Sequence, residues 1–519
     1  MRPPLSTVST SEVRTHAVGG TDVRRRTPAR SSTRRVAVRL TISAILITSS
    51  LAGCHRSVES AVDAPSVATE YLPLDLPDST GPRVFAHYMP NFPVSIDNEP
   101  PESDYYRTEY LDPTGEDGIH MSYGGYLRDR PLPRKPSKQG KWAEQNVELE
   151  ISQAESVGID GFAVDVILPR SRSDVVDGIL AAAGTPGRFS IMLTMDMGGP
   201  VATDQPMSSF IDDIVHYAKM PAAYRLSDGR LVLSAFRAEL RPVGWWRQVL
   251  EGLSARGVSA VFFPILLDTS ANLEKFAAIS YGIGSWGGRS PNAYSLDDTR
   301  RGAWPDLARR SRALGLKIMS PVAFQDNRPY AQLYFEAMNG LTMRSGWAAA
   351  EEIKPEIVQI MTWNDYAETS AVAPSLRHGY RVLDMLAYHI AKFKSGSSPA
   401  IRRDVVFATY RTQRYQAAPS FSQPKLMQLS ADSMPARNEI EVTAYGVEPS
   451  SITVRMGSEV RHCTVSKGLD YCTFPLGTGG VTIEMTRDGR TVATAGGGPA
   501  VTTSPYVQDL QYVAVGGLR

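Results

Sequence analysis

Eight short apolar runs alternate with helix-like stretches between residues 83 and 394, and few architectures accept that rhythm. The runs are Arg83–Met89, Gly158–Ile167, Phe189–Met197, Arg230–Phe236, Ser259–Leu267, Ile279–Trp286, Lys317–Phe324 and Ile357–Trp363. They are largely continuous, which is how a parallel strand buried on both faces reads. Helical periodicity separates most of them, at Trp142–Val157, Met207–Lys219, Trp245–Ala255 and Asp306–Leu314, and Arg377–Lys394 follows the last. Eight strand–helix units in roughly 300 residues predict an α/β fold, a (β/α)8 TIM barrel. An open doubly wound sheet is the other architecture. Its dinucleotide-binding form is disfavoured, because no Gly-x-Gly-x-x-Gly follows the first strand. Gly282–Gly287 has that spacing but opens no helix, and we assign it no role.

In such barrels the chemistry sits where the strands end. Strand one ends in His87-Tyr88, strand two near Asp165, strand three in Asp196 and strand four near Glu239. Strand six ends in Trp286, and strand eight runs into Thr362-Trp363-Asn364-Asp365-Tyr366-Ala367-Glu368. A solvated rim accounts for some of these polar groups, but not for Asp165 inside Phe162–Leu168. A carboxylate in an apolar strand needs a partner. A structural ion pair and a substrate contact are both open there. The long insertion from Asn91 to Lys141 carries Tyr105, Tyr106, Tyr110, Tyr123 and Tyr126. Those rings either wall a sugar cleft or pack on their own loop.

The stretch Thr-Trp-Asn-Asp-x-x-Glu at 362–368 resembles the signature of glycoside hydrolase family 71, the α-1,3-glucanases or mutanases. Val84–Met89 and Gly158–Ala163 resemble that family's opening segments, in the same order. The likeness runs from about Arg83 to Ser375. It implies an inverting hydrolase of α-1,3-glucan or a related α-glucan, with its catalytic pair at Asp365 and Glu368. A glycosidase needs one protonated and one ionised carboxyl; Asp365 is read as general base and Glu368 as general acid, and the motif itself leaves the order of the two open. His87, Tyr88, Asp165, Asp196, Glu239, Trp286, Trp363 and Asn364 are the candidate substrate-binding residues. For Trp286 and Trp363, a place in the barrel core is the competing reading. The chain departs from the family at Asp165, where Asn is usual, and at Phe236-Arg-Ala-Glu239, where a Phe-x-Gly turn is usual. The family 99 endo-α-mannan hydrolases carry a related signature, and Asp rather than Glu at 365 favours family 71. A non-catalytic, surface-anchored glycan-binding lipoprotein is the reading from another class.

Other chemistries lack their motifs. There is no Gly-x-Ser-x-Gly elbow and no His-Glu-x-x-His. No cofactor is expected. With 55 basic and 54 acidic residues, nothing points to nucleic acid. The expected partner is a neutral polysaccharide, bound by a monomer.

Residues 1–39 are basic and almost free of acids, Leu40–Leu51 is apolar, and Leu51-Ala52-Gly53-Cys54 ends the run. A basic segment, a short apolar core and small residues mark a signal peptide. The ending resembles a bacterial lipobox, which implies lipidation of Cys54. We therefore expect an exported, membrane-anchored lipoprotein facing the periplasm or the cell exterior. Residues 1–53 are read as signal, 54–80 as disordered linker, 81–397 as catalytic barrel and 398–519 as a β-sandwich domain. Beyond 398, short alternating strands appear at Asp404–Tyr410, Glu439–Tyr445, Ser451–Arg455 and Val481–Met485. Cys463 and Cys472 flank what reads as a hairpin turning at Lys467-Gly468, and a structural disulfide across it is expected outside the cytosol. Two thiols alone are too few for a metal site.

Overall fold

A computed structural model describes residues 82–517, apart from 139, 185–187 and 298–301. Cys54, the signal segment and the whole of the expected linker lie outside the described residues. Eight parallel strands close into a barrel: β1 Arg83–Tyr88, β2 Gly161–Val166, β3 Ser190–Asp196, β4 Leu231–Phe236, β5 Ala260–Leu266, β6 Gly282–Ser285, β7 Lys317–Ala323 and β8 Ile357–Met361. β1 closes the ring between β8 and β2, with Arg83 opposite Ile357 and Phe85 opposite Gly161. The fold is thus the expected TIM barrel, and the open-sheet alternative is excluded.

A helix follows each strand: α1 Trp142–Glu155, α2 Val175–Ala183, α3 Met207–Ala218, α4 Val243–Ala255, α5 Thr269–Ala277, α6 Ala303–Ala313, α7 Leu341–Ile353 and α8 Arg381–Ser395. Most turn an apolar stripe inward, while α1 buries Asn146, Glu150 and Gln153 beside Ile151 and Ala154. On α3, Phe210, Ile211, Ile214, Tyr217 and Ala218 are the buried set, spaced by three and four residues. Each such side chain contributes about 1.5–3 kcal/mol by leaving water.

Strand alternation sorts the core into two layers. Val84, Ala86 and Tyr88 face the helices, while Phe85 packs inside the barrel with Ala163, Met192, Val261, Phe263 and Met319. The interior is tight at its base. A Cβ on Gly161 would stand 2.5 Å from Phe85 Cε1 and 2.2 Å from the Ser190 carbonyl oxygen, so only glycine fits under that ring.

The C-terminal region is a two-sheet sandwich. Its strands are β9 Val405–Arg411, β10 Glu439–Gly446, β11 Ser450–Met456, β12 Glu459–Val465, β13 Gly468–Pro475, β14 Val481–Arg487, β15 Arg490–Ala495 and β16 Tyr512–Gly516. One antiparallel sheet runs β13-β10-β9-β16 and the other β12-β11-β14-β15. Cys463 and Cys472 are disulfide-bonded. The hairpin expected around them is not there. β12 pairs with β11 and β13 with β10, so the chain crosses between sheets at Ser466-Lys467 and the disulfide joins the two layers. The seven- and eight-residue ladders available in the separate sheets outweigh a short mutual hairpin. The sandwich is bolted to the barrel by the buried ion pair Arg411–Glu336 at 2.9 Å and the partly buried pair Arg344–Glu441 at 2.6 Å.

Candidate active site

β8 ends at Met361, and the Met361–Thr362 peptide is cis. The segment beyond it folds into a tight turn. Asp365 Oδ1 accepts the backbone N–H groups of Ala367 at 3.0 Å and Glu368 at 3.1 Å. Thr362 Oγ1 accepts the Asp365 N–H at 2.8 Å. This turn places Asp365 and Glu368 at the C-terminal mouth of the barrel. Asp365 is 6% exposed, and the Glu368 side chain keeps 14%, so the pair sits at a nearly dry surface that still opens to solvent.

Charge surrounds Glu368 from several elements. Its Oε2 lies 3.1 Å from Arg328 Nη2, and its Oε1 accepts the Tyr330 hydroxyl at 3.3 Å. Arg328 also forks onto Asp326 at 2.7 and 2.6 Å. Asp326 is fully buried and takes Arg289 Nε at 2.9 Å. Burial pushes the Glu368 carboxyl well above the ordinary carboxylate range; Arg328 opposes this, while Asp326 and Asp365 reinforce it. Burial raises Asp365 as well, but its two backbone donors and Arg328 hold it lower. Donors aimed at a carboxylate favour the ion. The two acids of one turn are therefore set apart, with Glu368 keeping its proton to higher pH.

Strand alternation delivers His87, Asp165 and Asp196 to the same mouth, where Asp196 ends β3 and its Oδ1 accepts the Gly198 N–H at 2.9 Å, and Trp286 follows the end of β6. His87 and Asp165 face inward with Nε2 and Oδ1 4.0 Å apart. His87 is pushed down to about 3 by burial and then by Arg289, so its ring is neutral. Asp165 is driven far up by burial, then by Asp196 and Asp365, so it is a neutral acid. Its Oδ1 has no hydrogen-bond partner among the described residues. That leaves an inward-facing polar atom available to a sugar hydroxyl. Trp286 is partly exposed and holds the His87 ring edge-on at 4.7 Å, with Arg289 5.4 Å from its own centre.

Four expected contacts fall elsewhere. Tyr88 is the next residue after inward-facing His87, so it points to the helices, where its hydroxyl donates to Glu150 of α1 at 2.8 Å. Trp363 is fully buried, and its Nε1 donates to the other Glu150 oxygen at 3.0 Å. Asn364 is consumed by the backbone of the first loop, accepting the Met89 N–H at 2.7 Å and donating to the Met89 and Phe92 carbonyls. Glu239 clamps the end of β5 by accepting the Leu267 and Asp268 N–H groups at 2.6 and 2.9 Å. All four are engaged by the fold at these contacts, although the second Glu239 oxygen has no hydrogen-bond partner among the described residues. The tyrosines of the long insertion largely pack on one another, as in the Tyr105–Tyr110 and Tyr110–Tyr126 contacts at 5.1 and 4.9 Å. Arg328 and Tyr330 were not singled out from sequence, because nothing periodic marks the loop after β7.

A closed barrel that gathers buried carboxyls in differing environments beside a part-exposed tryptophan at its strand ends is the arrangement expected of a barrel hydrolase. Residues 137–514 match the model of glycosyl hydrolase family 71, and the chain belongs to that family. It is therefore a glycoside hydrolase. The chain is 25% identical over 390 residues to the glucan endo-1,3-alpha-glucosidase agn1 of Schizosaccharomyces pombe, covering 69% of this chain and 87% of that protein. It is 23% identical over 393 residues to a mutanase of Penicillium rubens, covering 68% of this chain and 81% of the relative. Among solved structures, the chain is similar to the GH99 endo-alpha-mannosidase of Bacteroides thetaiotaomicron. That likeness has a TM-score of 0.46 and 16% identity, and covers 61% of this chain and 98% of that one.

Proposed function

We propose that the protein hydrolyses α-1,3-glucan, with Glu368 as general acid and Asp365 as general base. Glu368 protonates the departing glycosidic oxygen. Asp365, ionised by its two backbone donors, takes a proton from the attacking water, which inverts the anomeric centre. His87, Asp165, Asp196 and Trp286 hold the sugar. The observation that carries this reading is the split environment of two carboxyls within one turn. The names of the fungal relatives support the substrate. The substrate is tested by incubating the protein with α-1,3-glucan, α-1,4-glucan and α-mannan, following sugar release and product anomer by NMR. Release from α-1,3-glucan with the β-anomer first is expected. Release from α-mannan alone would move the substrate, and retention would turn Asp365 into a nucleophile.

The lipobox-like ending at Cys54 supports export and lipid anchoring. Cys54→Ser is expected to move the protein from the membrane fraction to the soluble one. Unchanged fractionation would contradict the anchor.

A further inference from the structure

The turn carrying Glu368 is gripped by a hairpin that the C-terminal region completes. Asn327–Arg328 and Leu333–Tyr334 pair antiparallel, and Gln428–Leu429 adds a third, parallel strand. The added strand is fastened by Gln428 N–H to the Gln332 carbonyl at 2.9 Å and by Ser430 N–H to the Tyr334 carbonyl at 2.9 Å. Beneath it, Tyr334 is buried with Met427 and Leu510. At the other face, Asn327 N–H donates to the Glu368 carbonyl at 2.8 Å, and Thr369 Oγ1 accepts from Asn327. The tip, Pro329–Ala331, leaves Tyr330 43% exposed while its hydroxyl reaches Glu368.

We infer that the C-terminal region is a working part of the active site: its 428–429 strand holds the hairpin whose Arg328 and Tyr330 are positioning residues for Glu368. This rests on Glu368 being the proton donor. The groups facing Glu368 are Arg328, Tyr330, Asp326, Arg289 and Asp365. Arg328 favours the ionised form, as does the hydroxyl that donates to Oε1. Removing either makes Glu368 a weaker acid. A hold loosened from the C-terminal side acts in the same direction.

The test is the pH profile of kcat/KM for Arg328→Gln, Tyr330→Phe and Met427→Ala, with Tm measured alongside. The alkaline limb is expected to move to higher pH, by about one unit or more for Arg328→Gln. Smaller shifts of the same sign are expected for the other two, and Arg328→Lys should restore much of the wild-type limb. Limbs that stay in place while only Tm falls overturn the inference. If the wild type releases no sugar, the substrate reading has failed instead. The grip is then read by isotope-edited NMR titration of the Glu368 carboxyl, where an unmoved midpoint in Arg328→Gln overturns it.

Discussion

Asp365 Oδ1 accepts the main-chain N–H of Glu368 at 3.1 Å. The backbone of the proposed acid thus holds the proposed base. A carboxylate with two N–H donors is biased to the ion, whereas the Glu368 carboxyl meets the Arg328 ion pair and the Tyr330 hydroxyl beside the acids Asp326 and Asp365, in a nearly dry setting. The i to i+3 spacing read from the sequence is the spacing of this turn.

The environments of the two acids fix a pH window. As the proposed base, Asp365 has to be ionised, so activity is expected to fall as pH drops through its raised pKa. As the proposed acid, Glu368 has to be protonated, so activity is expected to fall as pH rises through its higher one. Both limbs of kcat/KM should lie above the ordinary carboxylate values near about 4. A profile whose two limbs both lie at or below that range contradicts the assignment.

Glu150 links two packed side chains and is pushed up to about 8 by burial, against hydrogen bonds from Tyr88 and Trp363. The folded state therefore keeps a proton that the unfolded chain, with its ordinary value of 4.5, releases first. The stability this group gives is present below 4.5 and is lost as pH rises toward 8. Glu150→Gln is expected to flatten the fall in Tm across that interval. Glu150→Ala leaves two buried donors unpaired and should cost about 1–3 kcal/mol per donor. Thermal melts at several pH values check the first, and urea melts check the second.

The inter-sheet disulfide spans a sequence separation of 9. Closing so short a loop is worth up to about 3 kcal/mol. Cys463→Ser should therefore lower the denaturation midpoint of the sandwich, with little change in kcat measured well below that midpoint. A large loss of kcat at full fold would mean the sheets control the barrel mouth more directly.

The barrel was legible because its strands are nearly continuous apolar runs, and their positions differ from those observed by only a few residues at the ends. Helices α2, α5 and α7 were not. Gly178 interrupts the pattern of α2, α5 is short, and α7 carries Gly346, where an added Cβ would stand 3.4 Å from Val322 Cα. The acid turn was legible as a motif, and Asp165 as a carboxyl out of place. Tyr88 was assignable to the helix side from the alternation that turns Phe85 and His87 inward. Glu150 also left a trace, since α1 buries Asn146, Glu150 and Gln153 among its apolar positions. The hold of Arg328 and Tyr330 on Glu368 was not legible. It depends on a strand pairing nearly one hundred residues away in sequence, Leu333 with Gln428, and no local pattern encodes it.

The most direct test of the acid–base account is turnover of insoluble α-1,3-glucan by wild type, Asp365→Asn and Glu368→Gln, with folding verified by circular dichroism. The account predicts sugar release by the wild type and losses on the order of 10²–10⁴-fold in each variant at unchanged fold. Wild-type rates in either folded variant, or a wild type that binds the glucan without cleaving it, would contradict it.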